Sequence, residues 1–418
     1  MADVEIRRLR SGEEDAFIRS VRVPFLDPPA GGEEEAWVER ARRHVDPART
    51  WVAEDEGRFV ANCLLYSMDV TVPAAPGQPC PVVPMGGVSA VGVHPTHRRR
   101  GILRRMMAGM LADCRRRGEP LAGLHASESV IYGRFGFGLA SESLTYTIDS
   151  REARLSPPPP RLDLQLLERD EAAKVLPEMF DRQRRTRAGE PGRDAIRWEE
   201  LLADEPGRRR GGNAAFVAAC DDGYVAYRAV EQPGLWKRDS VVIEELRGMT
   251  PEVEAGLWQF VFDLDLVDEV TARRRPVDES LKWRLTDPRQ LRVTESEDRL
   301  YVRILDVAAA LQARGYRAAG RLVLDVGPAV AGDDGDDPAP GRWVLEAGPD
   351  GAACRAARPG EEPDLALDVT ALGSLYMGGF QASLLASAGR VRELTGGSLR
   401  RADALFTTWP APHTKTGF

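Results

Sequence analysis

Apolar and polar positions alternate through this chain in short blocks, and their period switches repeatedly between two and about 3.6. Asp15 to Arg22 and Glu33 to His44 carry helical spacing. Thr50 to Ala53 and Arg58 to Leu65 read as two strands around the turn Asp55-Glu56-Gly57. Pro73 to Pro84 is loop-rich, and from Gly87 small and apolar residues alternate until His94-Pro95 ends the run. Past Arg98-Arg99-Arg100-Gly101, apolar residues recur at Ile102, Leu103, Met106, Met107, Met110 and Leu111, which predicts strand, basic loop, helix. Glu142 to Ser150 is expected as the last strand of this region, and Pro157 to Pro160 as a stiff connector closing it.

From about residue 161 a similar order returns. Helical spacing over 168–189 and 196–203 leads to a hairpin, Ala214 to Cys220 and Tyr224 to Val230, around Asp221-Asp222-Gly223. A strand over Val241 to Leu246, a helix over Pro251 to Leu264 and a strand from Val270 to Arg274 follow. No second strand, Arg-x-x-Gly, helix unit appears, and Pro276, where a phosphate loop is sought, offers no N–H. From about residue 291 the pattern is α+β. Leu300 to Leu305, Gly320 to Val326, Arg342 to Glu346, Gly351 to Ala357 and Leu365 to Val369 read as strands. Helices are expected over 307–313, 370–377, 380–388 and 399–406, and the acidic turn Asp333 to Asp337 is expected to be mobile.

With 418 residues, 43% of them hydrophobic, the chain exceeds one ordinary core, and roughly two to four domains are expected. No run of about 18 apolar residues is present, so no membrane span is expected. The opening MADVEIRRLRSGEED lacks the apolar segment of a secretion signal, so a cytoplasmic protein is expected, although unconventional export would leave no mark. The net charge of −8 argues against nucleic acid as partner and favours cationic ligands at long range. The five cysteines form no CxxC, and an odd number argues against a disulfide framework. His94 and His97 flank Pro95 with no third ligand nearby, so no metal is expected.

The basic loop carries the chemistry. A helix start leaves backbone N–H groups unpaired and favours anions, and arginines at its mouth add charge-assisted bonds. Gly101 removes a side chain where a phosphate approaches, so a diphosphate is the expected guest. There is no GxxxxGK[ST] and no GxGxxG. Arg98-Arg99-Arg100-Gly101-Ile102-Leu103 resembles the acetyl-CoA loop of GNAT acetyltransferases, with Leu103 departing from the usual small residue. Together with Ser127-Glu128-Ser129-Val130-Ile131-Tyr132-Gly133-Arg134-Phe135-Gly136-Phe137-Gly138, it resembles the enhanced-intracellular-survival (Eis) family of N-acetyltransferases. Arg274 to Asp278, Leu285 to Arg289, Tyr301 to Val307 and the terminal Phe418 extend the resemblance along the whole chain. It implies a GNAT domain over 1–156, a second, degenerate GNAT-like domain over 161–290, and a sterol-carrier-like α+β domain over 291–418. It also implies acetyl-CoA as co-substrate and a homohexamer of two trimers.

Acetyl transfer from a thioester to an amine requires a held cofactor, a polarised carbonyl, a base for the amine and an acid for the thiolate. Val91, Gly92 and Val93 are expected to offer backbone to the thioester arm, with Gly92 permitting strand distortion. Arg98, Arg99, Gly101 and Ile102 are expected at the diphosphate. Tyr132 sits at a glycine-rich turn where GNAT proteins place an acid, and its alternative is a packed aromatic. No histidine stands in an obvious place for the base. Glu128 acting through water is one candidate, and the family resemblance points instead to the terminal carboxylate of Phe418. Phe25, Asp27 and Trp37 are expected to cover a cationic small molecule or lysine acceptor, along with Glu128. Asp306 matches an acidic position of the family and also fits a helix N-cap. Cys114 reads as a structural thiol rather than an acyl carrier. A lipid carrier, or a CoA-binding regulator without turnover, is the competing reading.

Overall fold

The computed structural model describes residues 4–26, 34–205, 209, 211–230, 239–329 and 337–418. The first unit contains β1 (Glu5–Arg8), β2 (Thr50–Asp55), β3 (Arg58–Thr71), β4 (Val82–Val93), β5 (Leu121–Leu124) and β6 (Gly138–Leu139). Period-two patterning divides its faces. Val52 and Leu64 pack under α1 (Glu14–Phe25) and α2 (Glu34–Arg42), whereas Ala53, Ala61, Cys63 and Leu65 face the other way. There they meet Met106, Met107, Met110 and Leu111 of α3 (Ile102–Arg116), one stripe of that helix. The short α4 (Ser129–Tyr132) follows β5.

The chain then leaves this sheet. β7 (Glu142–Asp149), expected as the last strand of the first region, pairs with strands of the second. That second unit holds β8 (Gln165–Leu166), β9 (Phe216–Cys220), β10 (Gly223–Val230), β11 (Asp239–Gly248), β12 (Val267–Arg275) and β13 (Leu291–Asp298). α5 (Arg169–Arg184) and α6 (Ala195–Ala203) cover one face, and α7 (Pro251–Phe262) covers the other, with α8 (Leu281–Arg284) beside it. β14 (Tyr301–Ile304) returns to the first sheet between β5 and β6.

The two sheets therefore read β1-β2-β3-β4-β5-β14-β6 and β8-β9-β10-β11-β12-β7-β13. They have the same order, and each takes its sixth strand from the other half. Only β4–β5 and β11–β12 are parallel pairs within them. The crossing links hold each other: Ala140 N–H donates to Leu300 O at 2.8 Å, and Arg299 N–H donates to Ser141 O at 2.9 Å.

The third unit has a five-stranded sheet, β17-β16-β15-β18-β19, from β15 (Gly320–Gly327), β16 (Gly341–Gly348), β17 (Gly351–Ala356), β18 (Leu365–Asp368) and β19 (Val391–Glu393). Its helices are α9 (Val307–Ala313), α10 (Val369–Tyr376), α11 (Ala382–Ser387) and α12 (Ser398–Phe406). It is not a separate core. Val70, Val83, Met85 and Val302 of the first sheet join Leu324, Leu345, Leu372 and Phe406 in one buried cluster. α10 approaches so closely that a Cβ on Gly138 would lie 2.0 Å from Thr370 O, and one on Gly373 would lie 2.3 Å from Val302 O. Among the described residues no helix is long and apolar enough to cross a membrane.

Candidate active site

β4 pairs with β5 over Met85–Gly87, so among the described residues its edge from Val88 to Val93 has no strand partner on that side. A register shift against β3 falls between Asn62 and Leu64. Opposite it Ala90 takes φ +50°, and the Asn62 amide donates to Ala90 O. The distortion expected at Gly92 thus sits at Ala90. Gly92 serves packing instead, since a Cβ there would lie 2.6 Å from the Pro24 ring of α1. Val91 and Val93 are half-buried against the first core.

Arg98, Arg99 and Arg100 are exposed in the following loop, with Arg99 at φ +64° and Gly101 at φ +73°. Ile102 anchors the start of α3 in the core at 2% exposure. No side chain caps that helix start, and among the described residues no carboxylate pairs with the three arginines. An uncapped helix start beside unpaired guanidinium groups fits a diphosphate and needs no other partner.

Tyr132 lies at the end of α4, buried in the same core and edge-on to Phe137 at 6.3 Å. Burial pushes its phenol up to about 12, with Cys63 beside it adding to the rise, so it stays protonated at neutral pH. The C-terminus packs elsewhere: Phe418 lies against the cluster that the first sheet shares with the third unit, whereas Tyr132 belongs to the first unit's own core. A Cβ on Gly87, the last β4 residue paired to β5, would lie 3.1 Å from the Phe418 ring. Phe418 therefore sits at the mouth of the β4–β5 opening. Its ring stands 4.8 Å from that of His125.

His125, for which the sequence offers no signal, ties the tail to the link between β13 and β14. Its Nδ1 lies 2.9 Å from Arg299 O and its Nε2 3.1 Å from Thr416 O. Burial, then the Arg299 guanidinium, pushes it down to about 4, so the neutral ring donates to one carbonyl at a time. Arg197 donates from Nη1 to Gly417 O at 2.9 Å and lies over the Tyr66 ring. These two hydrogen bonds to the tail go to backbone carbonyls, which leave no pattern in the side chains.

Other expected residues are not gathered here. Glu128 stands exposed at the N-cap of α4. Phe25 is 41% exposed at the end of α1, and Trp37 is covered by the Arg22 guanidinium at 5.1 Å. Asp27 lies outside the described residues. Asp306 accepts from Ala309 N–H at 2.9 Å as the N-cap of α9, and it lines a separate cavity with Pro120 and Trp343. Cys114 is fully buried, and burial, with Glu119 beside it, pushes its thiol far up. That environment suits a structural thiol. Between β3 and α5–α6 lies a cavity of about 350 Å³. Asp69, Asp181, Asp194, Tyr66 and Trp198 border it, and Met68 and Arg197 link it to the tail.

In the second sheet the equivalent of the phosphate loop is Gly248–Thr250, between β11 and α7, rather than the stretch before Pro276, which follows β12. Thr250 caps α7 through its own hydroxyl, accepting from Val253 N–H at 3.3 Å, and Pro251 opens the helix without an N–H.

Comparison with known proteins agrees with this architecture. Acetyltransferase (GNAT) domain models match residues 5–140 and 189–304, and a sterol carrier protein domain model matches residues 307–415. An uncharacterized N-acetyltransferase of Streptomyces coelicolor is 37% identical, over 99% of this chain and all of its own. The N-acetyltransferase Eis of Mycobacterium bovis is 36% identical over 84% of each chain. The crystal structure of Eis1 from Mycobacterium abscessus superposes with a TM-score of 0.85 at 31% identity, covering 99% of this chain and 100% of that one. Two GNAT units exchanging a strand, a sterol-carrier-like third unit and an open, arginine-rimmed first cleft thus identify the chain as an acetyltransferase belonging to the Eis family.

Proposed function

We propose that the chain transfers the acetyl group of acetyl-CoA directly to a primary amine of a polycationic acceptor: an aminoglycoside, a polyamine or a lysine side chain. The observation that carries this reading is Phe418 at the mouth of the β4–β5 opening, beside His125 just after β5. Arg98, Arg99 and the start of α3 hold the diphosphate, and the unpaired edge of β4 receives the thioester arm. The terminal carboxylate of Phe418 takes the proton of the attacking amine. As the carbon–sulfur bond breaks, the Tyr132 hydroxyl gives its proton to the leaving thiolate. The neighbouring cavity offers the acceptor the Tyr66 and Trp198 rings, while its carboxylates Asp69 and Asp181 are already paired with Arg184. A cytoplasmic homohexamer is part of the same reading. Trp283 and Trp409, 82% and 71% exposed, are its first candidate contacts.

The test is release of free CoA thiol with neomycin, tobramycin or spermidine, in protein extended by a few residues after Phe418 and in an N-terminally tagged control. The extension turns the terminal carboxylate into an amide. It is expected to leave acetyl-CoA binding intact and to slow turnover by about a hundred- to ten-thousandfold. Equal turnover in the two proteins across a pH series would remove the carboxylate from the mechanism.

A further inference from the structure

The last eight residues run beside the segment from Arg187 to Arg197 of the second unit, and the contacts advance in step. Arg187 donates to Ala411 O at 2.7 Å, His413 N–H to Ala188 O at 2.9 Å, and the Thr414 hydroxyl to Gly189 O at 2.7 Å. Arg193 Nε reaches the Thr416 hydroxyl at 2.9 Å, and Arg197 reaches Gly417 O. Glu190, in the middle, is the only member of this ladder that grips two tail residues by their backbone N–H groups. Its Oε2 accepts from Lys415 N–H at 3.1 Å and its Oε1 from Thr416 N–H at 2.9 Å.

Glu190 is itself fixed. It is 2% exposed, and Arg247 of β11 donates to its Oε2 at 2.8 Å. Arg247 also bonds Glu245, which accepts both outer nitrogens of Arg193. Burial works against ionising Glu190, but Arg247 and Arg193 outweigh it and hold the carboxyl down at about 2. The carboxylate is therefore charged at every working pH. The cavity it borders, about 100 Å³ between the diverging ends of β11 and β12, is the second sheet's counterpart of the cleft that takes the thioester in the first. Here the tail enters it: Lys415 Nζ donates to Arg273 O at 2.8 Å, and His413 Nε2 lies 2.8 Å from Arg274 O.

We infer that Glu190 is a positioning residue for acetyl transfer: from the cleft of the cofactor-free second unit it fixes the backbone of Lys415 and Thr416, and so aims the Phe418 carboxylate into the first unit's active site. The inference rests on the reading of that carboxylate as the base. Thr416 N–H lies two residues before the chain end, so its release loosens the aim of the terminal carboxylate and leaves it to the weaker hold of His125, Arg193 and Arg197, while Tyr132 and the phosphate loop stay in place.

Two variants attack the contact from opposite sides. Glu190→Gln leaves one acceptor oxygen where two N–H groups need partners. Thr416→Pro deletes one of those N–H groups from the chain end, together with the hydroxyl that Arg193 Nε reaches, and leaves Glu190 and Arg247 in place. Each is expected to lower kcat at least tenfold with the KM for acetyl-CoA within about threefold of the parent. Each is also expected to speed hydrogen exchange at the tail amides that remain. In the C-terminally extended protein, where the carboxylate is already lost, Glu190→Gln is expected to lower kcat no further. An equal fractional loss in extended and parent proteins would make Glu190 merely structural and overturn the inference. So would unchanged exchange at Lys415 and Thr416 in Glu190→Gln. Full turnover of the extended protein alone would overturn the base reading, and with it the part of Glu190 in transfer, even where exchange shows that the tail is held.

Discussion

The two GNAT units share a strand order and treat the cleft at its centre in opposite ways. In the first, β4 bulges at Ala90, the helix start is uncapped, and Arg98 to Arg100 face solvent without carboxylates. In the second, Thr250 caps α7, Arg275 is buried, Arg247 is mostly covered, and both are paired. The protein's own tail contributes His413 and Lys415 to that cleft. A fold supplies a cleft in both places, but only unspent donors make it a site for a phosphorylated ligand. Where Arg247 and Arg275 already have their carboxylates, the cleft serves as a clamp for the chain.

The sharpest way to break this comparison is to exchange the fates of the two arginine sets. Replacing Arg98 and Arg99 together by alanine removes two charge-assisted contacts of about 1.5–3 kcal/mol each. Acetyl-CoA affinity is expected to fall by roughly a hundredfold or more, with an unchanged melting temperature because both side chains are exposed. Unaltered affinity by calorimetry would mean that these arginines hold no phosphate. Arg275→Ala should do the reverse. Arg275 bonds Glu279 at 2.7 Å, Glu254 at 2.6 Å and Leu246 O at 2.7 Å. Its loss strands the buried Glu279, which burial already pushes up to about 6. A destabilisation of about 3–5 kcal/mol is expected, seen in urea or thermal unfolding, with acetyl-CoA affinity retained in the protein that remains folded.

Tyr132→Phe sharpens the comparison within the first cleft. The ring stays packed against Phe137 and only the hydroxyl is lost. Turnover is expected to drop about a hundredfold while binding and stability hold. Near-normal turnover would hand the proton to water.

The legibility of the sequence follows the same division. The first cleft is readable because its parts are contiguous: strand, arginines, glycine and helix occupy Val82 to Arg116. The strand exchange is not readable. Leu144, Tyr146 and Ile148 specify by their period which face of β7 is buried, but a period does not say in which sheet. The join of the three units is equally silent, because Gly138 and Gly373 mark a close approach only once their partners are known. The tail is the extreme case. His125 meets Arg299 and Thr416 across 174 and 291 residues, through backbone oxygens that any sequence would supply. Phe418 draws notice only through resemblance to a family, and Glu190 has no local motif at all.

The smallest expected effect tests whether the second cleft is the clamp. His413 is buried there against Arg274 O, and it faces Glu190, Arg187 and Arg247. Burial dominates and, with the two arginines, pushes the imidazole down to about 3 against the opposing pull of Glu190. The unfolded chain takes up a proton near pH 6.5 and the folded chain does not until far lower. The contribution of His413 is therefore complete above pH 6.5 and is lost progressively as pH falls towards 3. Glu279 acts in the other direction between about pH 6 and 4.5, because its folded carboxyl is raised and binds its proton first. Glu279 titrates alike in parent and variant, so a comparison of the two isolates the histidine. His413→Gln keeps an N–H for Arg274 O and removes the titration. Melting temperatures measured from pH 7 to 4.5 are expected to fall more steeply in the parent than in His413→Gln. The difference in slope has a ceiling of about 1.4 kcal/mol per pH unit. Parallel curves would mean that His413 stays protonated or leaves the cleft before unfolding, and that the second unit does not grip the tail as a folded clamp.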